Sequence, residues 1–369
     1  MDRHETRQRK LLRIAHREKV DAFLVTSETN VSYLTGFSGD STYLLLRPEG
    51  ATAISDFRYT TQLEEECPGL ETFIRTTDVK LHAATIKVLK RVRPGLRRIG
   101  IESHVVSVEL LNILSAELED VEFVPISSAI ENEIRAVKDA GEIAELRKAV
   151  HFAQRGFDVL KAILTPDLTE REASFELEHA LRRLGAEGFS FPAIVAVGDR
   201  AALPHYCPGS RRVQDAGLLL VDWGAQTSSG YKSDLTRTLV TGKVTSKLEK
   251  IYNIVLQAQE AAIAAIRPGV KCEDVDRIAR DVIDDAGYGN RFGHGLGHGI
   301  GLDIHEQPRF APESPTQLKA GMVVTVEPGI YLPGWGGVRI EDDVLVTRAG
   351  AEVLSGSLPK RFVDMVLPL

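Results

Sequence analysis

Cysteine is scarce in this chain: Cys67, Cys207 and Cys272 are the only three in 369 residues. They are widely spaced, odd in number and without a CxxC pair, which excludes a disulfide framework and a zinc-thiolate site and points to a reducing compartment. Long apolar runs are also missing. No stretch approaches the ~18 apolar residues of a membrane-spanning helix, and the opening MDRHETRQRKLLRIAHREKV is too charged for a signal peptide. A cytoplasmic address with no membrane partner is the expectation. Nor is charge of one sign concentrated anywhere: 45 basic and 52 acidic side chains leave a formal charge of -7, spread along the sequence, so no nucleic-acid groove is indicated. Repeats at a fixed period and low-complexity tracts are absent.

What is present is an ordinary globular composition, 43% hydrophobic and 26% charged, in a chain long enough for two or three compact units. In the first third, short apolar runs alternate with turn signals. DAFLVTS from Asp21, STYLLLR from Ser41 and ATAISD from Ala51 read as strands, and SVELLNILSAELE from Ser107 reads as an amphipathic helix. Strands interleaved with helices predict an α/β unit with its own sheet. The boundary is set at residues 1–132 and 133–369.

The second part opens with a long helix from Glu142 that must end before Pro166. Capping-box patterns follow at Thr169 to Glu172 and at Ser246 to Glu249, with Gly185 placed to end the first of these helices. Three apolar runs then end in acids: GLLLVDWGA at Asp222, GMVVTVEPG at Glu327 and GVRIEDDVLV at Glu341. All three read as strands. Helices arriving in groups between them predict an α+β domain with helices on one face of a curved sheet.

A carboxylate at the end of a buried apolar strand is costly unless a cation compensates it. Asp222, Asp234, Glu327 and Glu341 therefore ask either for arginines or for metal, and taken singly the arginine is the commoner answer. Histidines shift the balance: three of the ten, His294, His298 and His305, fall in FGHGLGHGIGLDIHEQPR. Glycines at 293, 295, 297, 299 and 301 argue against a helix and for an extended segment. There, His294 and His298 would share a face on the order of 13 Å apart, so only one could serve a given metal centre. Four carboxylates and one imidazole form an oxygen-rich set that suits two divalent ions such as manganese, which can activate water and polarise a carbonyl for peptide hydrolysis.

In order, VDWGAQTSSGYKSDLTRT, GHGLGHGIGLDIHE, VEPGIY and VRIEDDV resemble the metal-site motifs of the aminopeptidase P, prolidase and methionine aminopeptidase superfamily. Upstream, VSYLTGFSGDSTYLLL and ISDFRYTTQ resemble the N-terminal domain of creatinases, prolidases and aminopeptidases P, and IRAVKDAGEIAELRKAV resembles the junction between domains. The resemblance spans nearly the whole chain. It implies a C-terminal pita-bread catalytic domain, an N-terminal creatinase-like α/β domain, and an Xaa-Pro dipeptidase or aminopeptidase that holds two divalent ions, manganese foremost with cobalt, zinc or iron as alternatives.

Position by position, the resemblance implies Asp222, Asp234, His298, Glu327 and Glu341 as metal ligands, with Asp234 and Glu341 shared by both ions and Glu327 also shuttling a proton. His205, His294 and His305 match positions that hydrogen-bond the scissile carbonyl, its intermediate and the proline nitrogen. Arg339 is expected to pair with Glu341 along one strand and orient it, with Thr236 in a similar hydroxyl role. The two aspartates stand twelve residues apart, one more than is usual in the family, and the extra residue is assigned to the QTSSG turn.

Arg309 matches an arginine of some prolidases that grips the free carboxylate of a dipeptide. The resemblance thus implies proline-containing dipeptides or short peptides as substrates and a homodimer as the assembly. A metal-free, creatinase-like amidinohydrolase and a non-catalytic binding protein of the same fold are the competing readings, and both should have lost metal ligands.

Overall fold

The structure, a computed structural model, describes residues 3–92, 95–367 and 369. The chain divides into two compact units, residues up to Ile134 and residues from Arg135 onward.

In the first unit the apolar runs become the strands β1 (Ala22–Val25), β2 (Tyr43–Arg47) and β3 (Gly50–Asp56), joined by β4 (Glu71–Arg75), β5 (Arg98–Glu102) and β6 (Glu122–Ile126) in one sheet of order β4-β3-β2-β1-β5-β6. Strands β1, β5 and β6 run parallel, as do β3 and β4, while β2 is antiparallel to both its neighbours. The helices are α1 (Arg3–Arg17), α2 (Glu28–Thr35), α3 (Thr60–Glu66), α4 (Leu81–Val92) and α5 (Val108–Glu117). Leu89 of α4 and Leu114 of α5 pack with Leu24, Leu45, Ile54, Ile99 and Ile101 of the strands, all essentially out of solvent.

The second unit begins with α6 (Ala140–Ile163). Its capping box is Asp139 with Glu142, and its stripe of Leu146, Ala149, Val150, Ala153, Phe157 and Leu160 is buried. Helix α7 (Glu170–Arg183) starts on the expected box of Thr169 and Glu172 and is followed by Gly185 at φ +103, where glycine escapes the steric cost of the left-handed region. Helix α8 (Ser246–Ala265) corrects the other capping expectation. Thr245 is its cap, accepting from Leu248 N at 3.2 Å, so Ser246 is already helical and Glu249 sits one place too late to reciprocate. Helix α9 spans Cys272–Asp285.

The strands of this unit fall into several sheets where one curved sheet was expected. A short ribbon pairs β7 (Gly188–Phe189) with β10 (Ala225–Gln226), and β8 (Ile194–Val197), β9 (Leu219–Trp223) and β11 (Leu235–Leu239) form a sheet of order β11-β9-β8. A larger sheet has the order β13-β12-β14-β17-β18, made of β12 (Gly297–Gly299), β13 (Glu306–Phe310), β14 (Val323–Val326), β17 (Asp342–Val346) and β18 (Ala351–Val353), beside a hairpin of β15 (Gly329–Leu332) and β16 (Gly336–Arg339). The run GVRIEDDVLV is therefore two strands in two sheets, broken at Ile340 and Glu341. A single bridge, Thr236 to Glu341, links the smaller sheet to that break.

No helix among the described residues is long and apolar enough to cross a membrane.

Candidate metal centre

Asp222 lies in β9, all five residues of which are buried. Its neighbour Trp223 stacks on Phe157 with ring centroids 4.3 Å apart, and the indole Nε1–H donates to the Ala153 carbonyl at 2.9 Å, so α6 pins the strand. The register from Leu219–Leu239 to Trp223–Leu235 is unbroken and sets Asp222 opposite Thr236. The chain between them turns at residues 227–231, where Thr227 N–H donates to the Tyr231 carbonyl and Gly230 has φ +85. A longer turn there leaves the pairing untouched.

Asp234 stands just before β11, and its amide donates to Asp343 Oδ2 at 3.1 Å. Glu341 is held from both sides. Its amide donates to the Thr236 carbonyl at 3.1 Å, and its side chain accepts from the Thr236 hydroxyl at 2.6 Å. Behind them the fully buried Arg237 donates from Nη1 to the carbonyls of Thr236 at 2.9 Å and Glu341 at 2.6 Å, and from Nη2 to Asp342 at 2.8 Å. Burial alone would raise the Asp342 pKa, but Arg237 and Lys360 outweigh it and pull the carboxyl down to about 2. This ion pair clamps the backbones at Thr236 and Glu341 together.

The glycine-rich segment is not one long strand. Only Gly297–Gly299 pairs, with a register shift after His298, and His294 lies before the pairing begins. Close approach explains the glycines inside it: a Cβ on Gly297 or Gly299 would come within 2.1 Å of the carbonyl oxygen of Thr325 or Gln307. His298 N–H donates to Thr325 Oγ1 at 3.0 Å, and that hydroxyl meets Glu327 Oε1 at 3.3 Å. The ring Nδ1 of His298 lies 3.0 Å from the Gly299 carbonyl. A carbonyl only accepts, so Nδ1 carries a proton and Nε2 faces the acids, 3.3 Å from Glu327 and 3.7 Å from Asp234.

Arg339 pairs with Asp222 through a short contact and not with Glu341 as the spacing predicts; its Nε donates to Thr236 Oγ1 at 3.0 Å and its Nη1 to the Tyr331 hydroxyl at 2.8 Å. The reason is the break at Ile340, which removes the common strand on which residues 339 and 341 would have faced one way. His294 also differs from expectation. Nδ1 sits 2.8 Å from the Gly295 carbonyl and Nε2 sits 2.9 Å from the Tyr331 hydroxyl. With Arg339 donating to that oxygen, the phenol proton points at Nε2, and His294 has no spare ring nitrogen here. His205, His305 and Arg309 are the exposed polar heads, and none of the three has a hydrogen bond or ion pair among the described residues. They line, with the five acid and imidazole groups, a cavity of about 810 Å³.

Electrostatics set the chemistry. Burial, followed by repulsion from neighbouring acids, drives the pKa values of Asp234 and Glu341 well above the carboxylate range, and burial also raises Asp222 against the pull of Arg339. Glu327 goes the other way: burial would raise it, but the hydrogen bond and charge of His298, together with the charges of His294 and Arg339, outweigh burial and lower it. Burial lowers the pKa of His294 and of His305. Three buried oxygens, Asp222 Oδ1, Glu341 Oε1 and Asp343 Oδ1, have no hydrogen-bond partner among the described residues. Asp234, His298 and Glu341 each offer a donor atom, all within 4.8 Å of one another. Unpartnered acid oxygens around a cavity with Arg339 as the buried cation are what a divalent ion would satisfy, and the oxygen-rich donor set fits one.

Comparison with known proteins bears on the same residues. Residues 144–348 match the model of metallopeptidase family M24, and residues 7–137 match that of the Creatinase/Prolidase N-terminal domain. The chain belongs to metallopeptidase family M24. It is 37% identical to the uncharacterized peptidase YqhT of Bacillus subtilis, over 93% of this chain and 96% of that one. Among solved structures, an Xaa-Pro dipeptidase from Bacillus anthracis superposes with TM-score 0.93 at 37% identity, covering 99% of this chain and 100% of that chain. An X-Pro aminopeptidase from Thermotoga maritima does so at 0.86 and 33%, covering 95% and 98%. The fold is therefore a creatinase-type N-terminal domain followed along the chain by a pita-bread domain, as the motifs imply.

Four groups of this M24 centre escape sequence reasoning: Tyr331, Asp343, Thr325 and the Arg237–Asp342 pair. The signals were available in part. Arg237 is a charge inside the otherwise uncharged strand LTRTL, and Asp343 is a third consecutive acid after Glu341 and Asp342.

Proposed function

We propose that this chain hydrolyses the peptide bond preceding proline in dipeptides and short peptides, using two divalent ions held by Asp222, Asp234, His298, Glu327 and Glu341. The observation that carries this reading is the buried acid cluster. Its charges cannot coexist without cations, and two of the five groups keep an unpartnered buried oxygen. The Xaa-Pro dipeptidase and X-Pro aminopeptidase among similar structures support the choice of substrate, and the carboxylate-rich set favours manganese. When bound, the ions supply Lewis acidity toward the scissile carbonyl and lower the pKa of the attacking water.

The chain's own groups do the remaining work. Glu327, ionised beside the bound cations, accepts the proton of the attacking water and delivers it to the proline nitrogen as the C–N bond breaks. His205 and His305, with free ring nitrogens facing the cavity, donate to the carbonyl oxygen as it gains charge. His294 acts one step back, by orienting Tyr331. Arg309 stands across from His298 in the β12–β13 register and grips the substrate carboxylate, which favours dipeptides.

Hydrolysis of an Xaa-Pro dipeptide and of an Xaa-Pro-Xaa peptide, by manganese-loaded wild type and Arg309→Ala, tests both claims. Selective loss on the dipeptide supports the clamp. Inactivity of the wild type on every Xaa-Pro substrate would return the creatinase-like and non-catalytic readings.

A further inference from the structure

Glu170, the first residue of α7, is completely buried, yet no lysine, arginine or histidine pairs with it among the described residues. Its oxygens instead take three hydrogen bonds. Val197 N–H donates to Oε1 at 2.8 Å, while the Tyr206 hydroxyl at 2.9 Å and Gly209 N–H at 2.8 Å both donate to Oε2. A buried carboxylate without a cation is expensive, and the start of a helix does not require one. Its use must lie with the donors. Val197 closes β8, and Tyr206 and Gly209 belong to the segment that follows. Within that segment, residues 204–208 form one continuous wall of the cavity, exposed at His205 and Cys207.

The fit at the anchor is close. A Cβ on Gly209 would come within 2.8 Å of the Tyr206 hydroxyl and 3.2 Å of Glu170 Oε2. His205 has no hydrogen-bond partner of its own among the described residues, so its imidazole stands where the backbone beside it is tied.

We infer that Glu170 is a positioning residue: through Tyr206 and Gly209 it fixes the cavity wall that presents His205 to the substrate. The His205 part of this inference rests on the proposed function, whereas the anchoring does not. A charge-assisted bond from a tyrosine next to the working histidine is a short lever, and small displacements of a catalytic group are costly in rate.

Glu170→Gln is the informative change, because an amide can accept from Val197 or from the loop donors but cannot satisfy both. Cys207 supplies a reporter on the wall itself, being exposed while Cys67 and Cys272 are buried. With a fluorophore on Cys207, Glu170→Gln is expected to lower the anisotropy. In unlabelled, manganese-loaded enzyme it is expected to cut kcat on an Xaa-Pro dipeptide by about tenfold. In a His205→Ala background the same change should cost less than about twofold, since both act through one group. Tyr206→Phe should move both readouts the same way by less, and it decides the matter if Glu170→Gln does not fold. Unchanged anisotropy, or an equal loss of kcat with and without His205, would overturn the inference. A wild type inactive on Xaa-Pro substrates would instead remove the functional assignment, with the anisotropy still deciding the anchor.

Discussion

Arg339 pairs with Asp222 and reaches Glu341 only through the Thr236 hydroxyl, so one guanidinium orients two of the five acid and imidazole groups from behind. Its third contact, to Tyr331, extends the same chain to His294.

Replacing Arg339 with methionine keeps the stem but removes every one of these bonds. Manganese affinity, measured by equilibrium dialysis, is expected to fall by about 10–100-fold, the usual effect of losing a group that orients ligands. Thr236→Val should weaken binding in the same direction, because the Glu341 carboxylate then loses its donor.

Glu327→Gln removes the group proposed to move the proton while keeping its size. Turnover is expected to fall by at least about 100-fold, with substrate binding little changed, as measured by steady-state kinetics on a dipeptide. Full activity would remove Glu327 from the reaction.

Asp234 and Glu341 have folded-state pKa values raised above those of an unfolded chain. Their contribution to metal-free stability is therefore complete below the ordinary carboxylate range and is lost as pH rises through their raised values. The chelated enzyme should melt at a lower temperature at pH 8 than at pH 6. Manganese should reverse the trend, because binding displaces those protons and tightens as pH rises. Calorimetric titration in buffers of different ionisation enthalpy should detect the released protons.

Glu306, next to His305, lies buried between Arg135 and Lys138, bonded to Lys138 Nζ at 3.0 Å. Burial would raise its pKa, but the two cations outweigh it and hold the group at about 2 against an ordinary 4.5. This depressed group contributes stability above pH 4.5 that is lost as pH falls toward 2, on the order of 3 kcal/mol. Glu306→Gln takes the carboxylate from the buried Lys138 and leaves Arg135 with Asp303 as its acid, and is expected to cost about 3–5 kcal/mol. Urea unfolding at pH 7 and pH 3 should give a large difference between variant and wild type at the first and a smaller one at the second.

Much of this was legible before any coordinates. Strands β1 to β3 are written in their apolar runs, and Asp222 and Glu327 declare themselves because an acid ending a buried strand demands compensation. The Thr169 box and Gly185 follow from local rules that tertiary packing did not override. The misses have one cause, which is that local pattern does not record which neighbour a backbone meets. Thr245 and Ser246 are equally good caps on paper. The segment VRIEDDV looks continuous, yet Thr236 captures Glu341 and splits it. His294 was claimed by Tyr331 of the β15–β16 hairpin.

The central claim, a pair of divalent ions inside the acid cluster, is tested most directly by counting metal. Protein loaded with manganese, desalted and measured by elemental analysis should carry two ions per chain. Asp234→Asn and Glu341→Gln should each carry fewer while remaining folded. A wild-type chain that retains no ion after loading, and melts at the same temperature with and without manganese, would contradict the account.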